Sequence, residues 1–211
     1  GADATLRGQD VTGSIVASSA LVAVNEPAVI LAWLNALVMA ENDKSIFATS
    51  ALAASPQPFA LPKAQDGDEA EVVGIPLAGP GLHIVEIESK LLGTALLHPP
   101  GPMYVAAGAF VTNLAVHFKW GRESSLVWVT ALDSAQPVAG AAVSVAHCDG
   151  TILATATTDA NGVARVENLP NPVPGPRCGD GWTDYTGGLL VLAKAEGQLG
   201  IAHTSWIEGI E

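Results

Sequence analysis

The chain has 211 residues, of which 49% are hydrophobic and 14% are charged. This much apolar material supports one large domain or two of ordinary size with a buried core, and it excludes a disordered chain. The net charge of −12 repels phosphate backbones, so nucleic acid is excluded as a partner.

The first predicted element is a helix near residues 26–42. Asn25 is a suitable N-cap, and Pro27 is tolerated in the first helical turn. Apolar residues then recur with the spacing of one buried helical stripe, at Ile30, Trp33, Leu34, Leu37 and Val38. The longest apolar run, residues 28–40, falls short of the roughly 20 residues that a membrane span needs. We therefore expect that this stretch of chain does not span a membrane.

The rest of the first half is predicted to be β-strands separated by turns. Strand candidates cover residues 69–75, 82–88 and 103–109, with Gly- and Pro-rich segments between them. The small and polar residues 51–58 are predicted to form a loop. We place a domain boundary near Phe110, which gives a first domain of residues 1–110 and a second of residues 111–211.

The second half carries the pattern of seven strands in about 95 residues, which is typical of an immunoglobulin-like β-sandwich. Strict alternation over residues 112–120 places Leu114, Val116, Phe118 and Trp120 on one face. Residues 125–132 are apolar on both faces, which predicts a central strand. The remaining strands are predicted at residues 140–146, 151–158, 163–167, 188–194 and 198–204. The predicted fold class is mainly β: two tandem β-sandwich domains, each of about seven strands, with the helix as an insertion in the first.

The strongest local signal is the turn Asp159-Ala160-Asn161-Gly162. Asn-Gly between two alternating runs favours a hairpin, because both residues tolerate a positive φ. Asp159, Asn161 and Gly162 are therefore predicted to be structural turn residues. An EF-hand calcium loop is excluded, because its twelfth position would fall on Pro170 instead of a glutamate.

The two cysteines, Cys148 and Cys178, both fall in the second half. A disulfide between them would close a loop of about 30 residues, worth about 3.5–4 kcal/mol in the chain-entropy model. We predict this disulfide, which requires an oxidising compartment. The alternative is two separate thiols in a cytosolic protein. Zinc is not expected, because His147 beside Cys148 supplies too few ligands.

Catalytic motifs are absent from the sequence. There is no Gly-x-Ser-x-Gly elbow, His-Glu-x-x-His motif, phosphate-binding loop or dinucleotide fingerprint. His83 and Glu86 invite a metal site, but their odd spacing on a strand points them to opposite faces, so we predict a surface polar pair. Glu86 and Glu88 share a face, and we predict that they lie on a solvated strand edge. We expect no enzyme activity, no metal and no cofactor; a hydrolase is the weakest hypothesis.

The five tryptophans leave a second function class open. Trp33, Trp120 and Trp128 lie in the helix stripe or in strands and are predicted to be core residues. Trp182 and Trp206 fall in loop or terminal contexts and could be exposed together. The alternative to a scaffold is therefore an adhesin or a carbohydrate-binding tandem β-sandwich module.

Several segments together resemble bacterial α2-macroglobulin-like proteins. They are residues 81–88 (GLHIVEIE), 103–105 (MYV), 111–125 (VTNLAVHFKWGRESS), 126–145 (LVWVTALDSAQPVAGAAVSV), 158–170 (TDANGVARVENLP), 189–193 and 205–211. The resemblance is dense over about residues 70–211. It implies seven-stranded macroglobulin domains from a large periplasmic chain, often lipid-anchored to the inner membrane, that traps proteases after they cut a bait segment.

The resemblance also implies which functions lie elsewhere. Many members carry an internal thioester built from a Cys-x-x-Gln type motif, and neither Cys148 (CDGT) nor Cys178 (CGDG) has the required residues after it. The start, Gly1-Ala2-Asp3, has no basic and apolar segments of a signal peptide, and we expect the sequence to be an internal piece of a longer chain. The implied role is a scaffold segment of a broad-spectrum protease inhibitor, whose partners are neighbouring macroglobulin domains and, through other regions, proteases.

Overall fold

The computed structural model describes residues 15–22, 26–49, 56–59, 74–75, 77, 79–170 and 188–204, and it divides into two compact units. The first unit takes Gly1–Ala23 and Ala36–Phe110, and the second takes Val24–Asn35 and Val111–Glu211. The predicted strand at residues 69–75, the N-cap Asn25, Cys178, Trp182 and Trp206 lie wholly or mostly outside the described residues.

The first unit contains one four-stranded sheet with the strand order β2-β1-β3-β4. Its strands are β1 (Ile15–Val22), β2 (Gln57–Phe59), β3 (Gly81–Ser89) and β4 (Met103–Val111). Strand β1 pairs antiparallel with both β2 and β3. Strands β3 and β4 match the predicted ones, whereas β1 was not predicted and β2 falls partly within the predicted loop. Among the described residues this unit forms a single sheet and no second sheet of a sandwich.

Helices complete the described part of the chain before residue 111. They are α1 (Pro27–Val38), α2 (Ile46–Thr49) and α3 (Lys90–Leu96). Helix α1 ends four residues earlier than the predicted boundary at 42. Helix α3 was not predicted; it begins at Ser89, whose hydroxyl accepts a hydrogen bond from the Leu92 N–H at 3.2 Å. No helix in the described part of the chain is long and apolar enough to cross a membrane.

Glu86 is a buried carboxylate, and the prediction that it lies on a solvated edge is wrong. Strand β3 is an interior strand, and Glu86 is only 7% exposed. Its carboxylate accepts hydrogen bonds from the Ser45 hydroxyl at 2.8 Å and from the Ile46 N–H at 2.6 Å. Glu86 therefore ties β3 to the first turn of α2, which is otherwise too short to be stable by itself.

The predicted surface polar pair of His83 and Glu86 is also wrong, because both side chains are buried. His83 is 3% exposed, and its Nε2 lies 3.0 Å from the Gly79 carbonyl oxygen. Each side chain is satisfied by its own neighbours. No group of three metal-ligating side chains occurs among the described residues.

The second unit contains two antiparallel sheets with the strand orders β5-β6-β9 and β11-β10-β7-β8. The strands are β5 (Leu114–Lys119), β6 (Ser124–Ala131), β7 (Ala142–His147), β8 (Ile152–Thr157), β9 (Val163–Glu167), β10 (Leu189–Ala195) and β11 (Gln198–His203). These seven strands lie where the sequence predicts them. Strand β6 is central in its sheet, as predicted from its apolar composition.

The core of the second unit contains alternate residues from strands of both sheets. From the three-stranded sheet come Leu114, Val127, Val129, Ala164 and Val166; from the four-stranded sheet come Val143, Val145, Leu189, Val191 and Ala193. Val116, Phe118 and Trp120 pack against this cluster, which confirms the predicted inward face of β5. The period-2 pattern of the sequence thus produces the two facing layers of a sandwich.

The turn predicted at residues 159–162 is present, but the two strands that it joins do not pair with each other as in a hairpin. Strand β8 pairs with β7, and β9 pairs with β6 in the other sheet. The Asp159–Gly162 turn therefore carries the chain from one sheet to the other. Turn chemistry reverses the chain direction, but which neighbour a strand pairs with is decided by packing of the whole sandwich.

The start of helix α1 takes part in the packing of the second unit. Ala28 lies so close to Gly150, in the turn between β7 and β8, that a Cβ on Gly150 would overlap it. Leu190 and Leu192 of β10 point away from the core cluster and are nevertheless fully buried. Trp33, on the same helix segment, is 1% exposed, which confirms its prediction as a core residue.

We predict that Glu86→Ala lowers the free energy of unfolding of the chain by about 1–3 kcal/mol, because the buried Ile46 N–H loses its partner. Chemical denaturation followed by circular dichroism measures this change. Glu88→Ala, two residues further along the same strand, is the control and should change stability far less. Equal effects of the two substitutions would contradict the capping role of Glu86.

Candidate functional site

Of the connections that cross between the sheets of the second unit, two lie within the described residues, and Thr158 bonds them together. One connection joins β6 to β7 and the other joins β8 to β9. The Thr158 hydroxyl donates to the Val138 carbonyl at 2.7 Å and accepts from the Ala141 N–H at 2.8 Å. Its main chain bonds Gly140 and Ala141 at 2.9 and 3.0 Å. Thr158 is 5% exposed, so these bonds are shielded from water.

Asp159 closes the turn that follows. Its carboxylate oxygen Oδ1 accepts from the Asn161 N–H at 2.8 Å and from the Val163 N–H at 3.0 Å. Its main chain exchanges hydrogen bonds with Gly162 and Val163 at 3.0 and 2.9 Å. One short carboxylate thus satisfies two backbone donors that would otherwise face solvent, in the manner of an Asx turn.

Gly162 is required at its position for two separate reasons. Its φ is +73°, a region that residues with a Cβ rarely adopt. A Cβ at this position would also meet the Val129 carbonyl oxygen, which already accepts a hydrogen bond from the Val138 N–H at 3.0 Å. The Gly162 carbonyl in turn accepts from the Val129 N–H at 2.9 Å. Asn161, by contrast, does not adopt a positive φ.

We call these residues, Thr158, Asp159 and Gly162 with Val129 and Val138, the inter-sheet junction. The sequence predicted Asp159, Asn161 and Gly162 as structural turn residues, but it did not single out Thr158. The feature that could have revealed Thr158 is its position directly before the Asp-x-x-Gly turn. The junction contains one carboxylate, one hydroxyl and backbone groups, all of them engaged in hydrogen bonds. Its chemistry fixes geometry and offers no nucleophile beside a base.

Cys148 lies directly after β7, in the turn that leads to β8. Its Sγ is 3.5 Å from His147 Nε2, and His147 Nδ1 is 3.2 Å from the Asp149 carboxylate. Hydrogen bonds from the Thr151 N–H, at 2.8 Å, and from the Thr151 side chain lower the pKa of Asp149. His147 is 8% exposed. Cys178, the predicted disulfide partner of Cys148, lies outside the described residues, so the pairing stays a prediction.

His203 is a second buried histidine of this unit, at the end of β11. It is 5% exposed, and burial lowers its pKa because the charged imidazolium is poorly solvated there. Neutral His203 therefore contributes stability that is fully present above its ordinary pKa near 6.5, and that stability falls as the pH drops below this value toward its folded-state pKa.

The outer side of the three-stranded sheet carries exposed apolar side chains beside cations. Trp128 is 42% exposed and Leu126 37% exposed, so the prediction of Trp128 as a core residue is wrong. Across the strands, Trp128 faces His117, and Leu126 faces Lys119 on one side and Arg165 on the other. We call these five residues the basic–aromatic face. The sandwich buries one side of β6, so its apolar alternate residues remain at the surface.

Comparison with known proteins gives one match to a family and two to solved structures. Residues 111–211 match the family model of the bacterial alpha-2-macroglobulin MG3 domain. No curated protein sequence matches the chain.

Both structural matches are crystal structures of native alpha-2-macroglobulin from Escherichia coli. One spans the domains MG0-NIE-MG1 and the other NIE-MG1; each superposes on 90% of this chain with a TM-score of 0.56, at 16% and 18% identity. The chain covers 54% of the first structure and 82% of the second. At this identity the matches establish a shared fold.

We predict that Gly162→Ala destabilises the chain more than Gly140→Ala does. Both glycines have nearly the same φ, +73° and +74°, but a Cβ at Gly140 has nothing within 4 Å. Gly140→Ala should lower the free energy of unfolding by about 1–2 kcal/mol, the cost of a left-handed residue. Gly162→Ala should add about 1–3 kcal/mol for the overlap with Val129.

Denaturant titration of both variants measures this difference directly. Because the two positions share their backbone conformation, subtracting one effect from the other isolates the close approach at the inter-sheet junction. If both substitutions lower stability equally, the packing of Gly162 against Val129 makes no contribution.

Proposed function

We propose that the chain is part of an alpha-2-macroglobulin-like protein, with residues 111–211 as a macroglobulin domain, and that it serves as a scaffold segment of a broad-spectrum protease-trapping inhibitor. Its similarity to bacterial macroglobulin domains supports a scaffold segment of such a protein. The match of residues 111–211 to the family model is the observation that carries the proposal.

The physical character of the described residues supports a scaffold role. The second unit has a continuous apolar core between two sheets, and the inter-sheet junction fixes the β6–β7 and β8–β9 connections to each other at hydrogen-bond distances of 2.7–3.0 Å. Such a unit resists local opening, because its connections cannot move without breaking buried hydrogen bonds. A protein that rearranges after a cut in a bait segment needs parts that move as rigid bodies.

We also propose that the chain contains two domains, residues 1–110 and 111–211. The first would correspond to the domain named NIE, which stands beside MG1 in the Escherichia coli structures. The 82% coverage of the NIE-MG1 structure supports this assignment, as does the single sheet with helices in the described part of the first unit. In the structures the second domain would be the one named MG1, whereas the family model names it MG3.

The remaining parts of the proposal concern the parent protein. Proteases would bind through regions outside this chain, because neither cysteine here belongs to a thioester motif. The segment itself would be non-catalytic and would contact neighbouring macroglobulin domains. The parent protein would be periplasmic and anchored to the inner membrane, which rests on the resemblance of the sequence to its family.

The protease-trapping proposal predicts different behaviour of the segment and its parent. The segment alone, mixed with trypsin or subtilisin, should neither reduce protease activity nor form a covalent adduct. The complete protein should be cut once by the active protease and then co-elute with it in size-exclusion chromatography.

Protease whose active site has been blocked is the control, and it should not co-elute because it cannot cut the bait segment. Stoichiometric inhibition by the segment alone would contradict the scaffold role. A complete protein that is cut without retaining the protease would contradict trapping.

We propose further that Cys148 and Cys178 are joined in the native protein. No free cysteine occurs among the described residues, and Cys178 is the only other cysteine of the sequence. We predict that non-reducing peptide mapping by mass spectrometry finds the two peptides linked. Alkylation of both thiols in protein isolated from an oxidising compartment would show that the bond does not form there.

A further inference from the structure

We infer that the basic–aromatic face is a docking surface for an acidic protein surface that carries an exposed aliphatic or aromatic side chain. The inference goes beyond the scaffold role and does not depend on it, since it rests on the composition and charge of one sheet face. Its residues are His117, Lys119, Leu126, Trp128 and Arg165.

The apolar centre of the face is built by the central strand of the sheet. Leu126 and Trp128 are alternate residues of β6 and point to the same side. Together they present large apolar side chains at 37% and 42% exposure. The outer side of β10, in the other sheet, contrasts with this face, because Leu190 and Leu192 are buried there. The central strand of the three-stranded sheet thus leaves its outward apolar side chains exposed, whereas β10 has its own covered.

Trp128 packs against the ring of its cross-strand neighbour, His117. Its ring lies with its centroid 5.3 Å from that of His117, at an interplanar angle of 32°. Tryptophan presents a large apolar area with only two side-chain torsions, which is why it recurs at the centres of protein interfaces. The ring therefore has the properties of an anchor for a partner.

The charges around this centre determine the chemistry of the partner. Lys119 and Arg165 stand on opposite sides of Leu126 in the same cross-strand row, and Glu167, two residues further along the same face of β9, pairs with Arg165. The Arg165–Glu167 pair is 4.0 Å long, and both side chains are more than half exposed, so it is weak and leaves the guanidinium available. The face is locally positive on a chain of net charge −12. Because the chain as a whole is acidic, carboxylates on a partner are attracted only by locally positive surfaces such as this one.

A protein partner fits these features better than a membrane does. An anionic bilayer would face the acidic surface of the whole chain, whereas a protein partner can present its carboxylates at the two cations alone. The two cations flank Leu126, with Trp128 in the next cross-strand row, so that charges border an apolar centre as they do in protein interfaces. A carbohydrate would use the Trp128 ring but would have no need of Lys119 and Arg165.

The test uses the whole chain and two synthetic probes. The first is an acetylated twelve-residue peptide in which glutamates alternate with leucines and one phenylalanine; the second has lysines in place of the glutamates. Nuclear magnetic resonance titration at low salt should show the acidic peptide shifting signals of the basic–aromatic face, and the basic peptide should bind at least tenfold more weakly. Raising the salt concentration to 0.5 M should weaken the acidic complex several-fold.

Exposed substitutions that leave the core intact locate the binding. Trp128→Ala, and Lys119→Glu combined with Arg165→Glu, should each weaken the acidic peptide at least tenfold. Leu132→Ala and Lys90→Glu are controls, because Leu132 is 60% exposed near the end of β6 and Lys90 is exposed in the other unit. They should leave the affinity unchanged.

Three outcomes would overturn the inference. One is the absence of binding by the acidic peptide at millimolar concentration. Another is Trp128-dependent binding of vesicles of phosphatidylglycerol or of a soluble oligosaccharide while the peptide fails to bind. The third is self-association in analytical ultracentrifugation that Trp128→Ala abolishes, which would make the occupant of the face a second copy of the chain.

Discussion

The bonds of Thr158 and Asp159 are the constraint on which the second unit depends. The chain crosses from one sheet to the other before β7 and again before β9, and the buried Thr158 hydroxyl bonds the first crossing to the second. Asp159 then turns the chain so that β9 enters the three-stranded sheet with Ala164 and Val166 facing the core. If these bonds were lost, the two apolar layers would no longer be held in register at this end. The alternation in each strand builds the layers, and the inter-sheet junction holds them together.

The outer surfaces of the two sheets of the sandwich differ in how far their apolar side chains are exposed. The four-stranded sheet buries Leu190 and Leu192 on its outer side, and residues 27–35 of helix α1 belong to this unit. The three-stranded sheet leaves Leu126 and Trp128 exposed between cations. A scaffold domain needs rigid packing inside and a surface that neighbours can recognise outside. The docking role proposed for the basic–aromatic face would not weaken the core, because the residues that form it are not part of the core cluster.

Local patterns were sufficient to predict the strands of the second unit but not how they pair. All seven strands follow from period-2 alternation and from glycines in turns, which are properties of neighbouring residues. The Asp159–Gly162 turn was predicted as a hairpin because the sequence reveals a reversal of direction and contains no record of which sheet each strand enters. Trp128 was assigned to the core because β6 is apolar on both faces, although a three-stranded layer of a sandwich buries only one. Glu86 was assigned to a solvated edge because its hydrogen-bond donors, Ser45 and Ile46, lie 40 residues away in the sequence. Helices α2 and α3 have only four and seven residues. They are too short to show a repeating apolar stripe, so helical periodicity in the sequence does not reveal them.

Native-state hydrogen exchange tests most directly whether the inter-sheet junction holds the second unit together. The decisive amide is that of Ala141, which lies in a connection and donates to the Thr158 hydroxyl. Its exchange should be slowed to nearly the same extent as that of the core amides of Val143 and Val191, because all three should open only when the whole unit unfolds. In Thr158→Val the core amides of Val143 and Val191 should become faster together, and the Ala141 amide, which loses its acceptor, should become faster still. If the Ala141 amide exchanges like that of an ordinary surface loop while the core amides remain protected, the junction does not hold the sheets together.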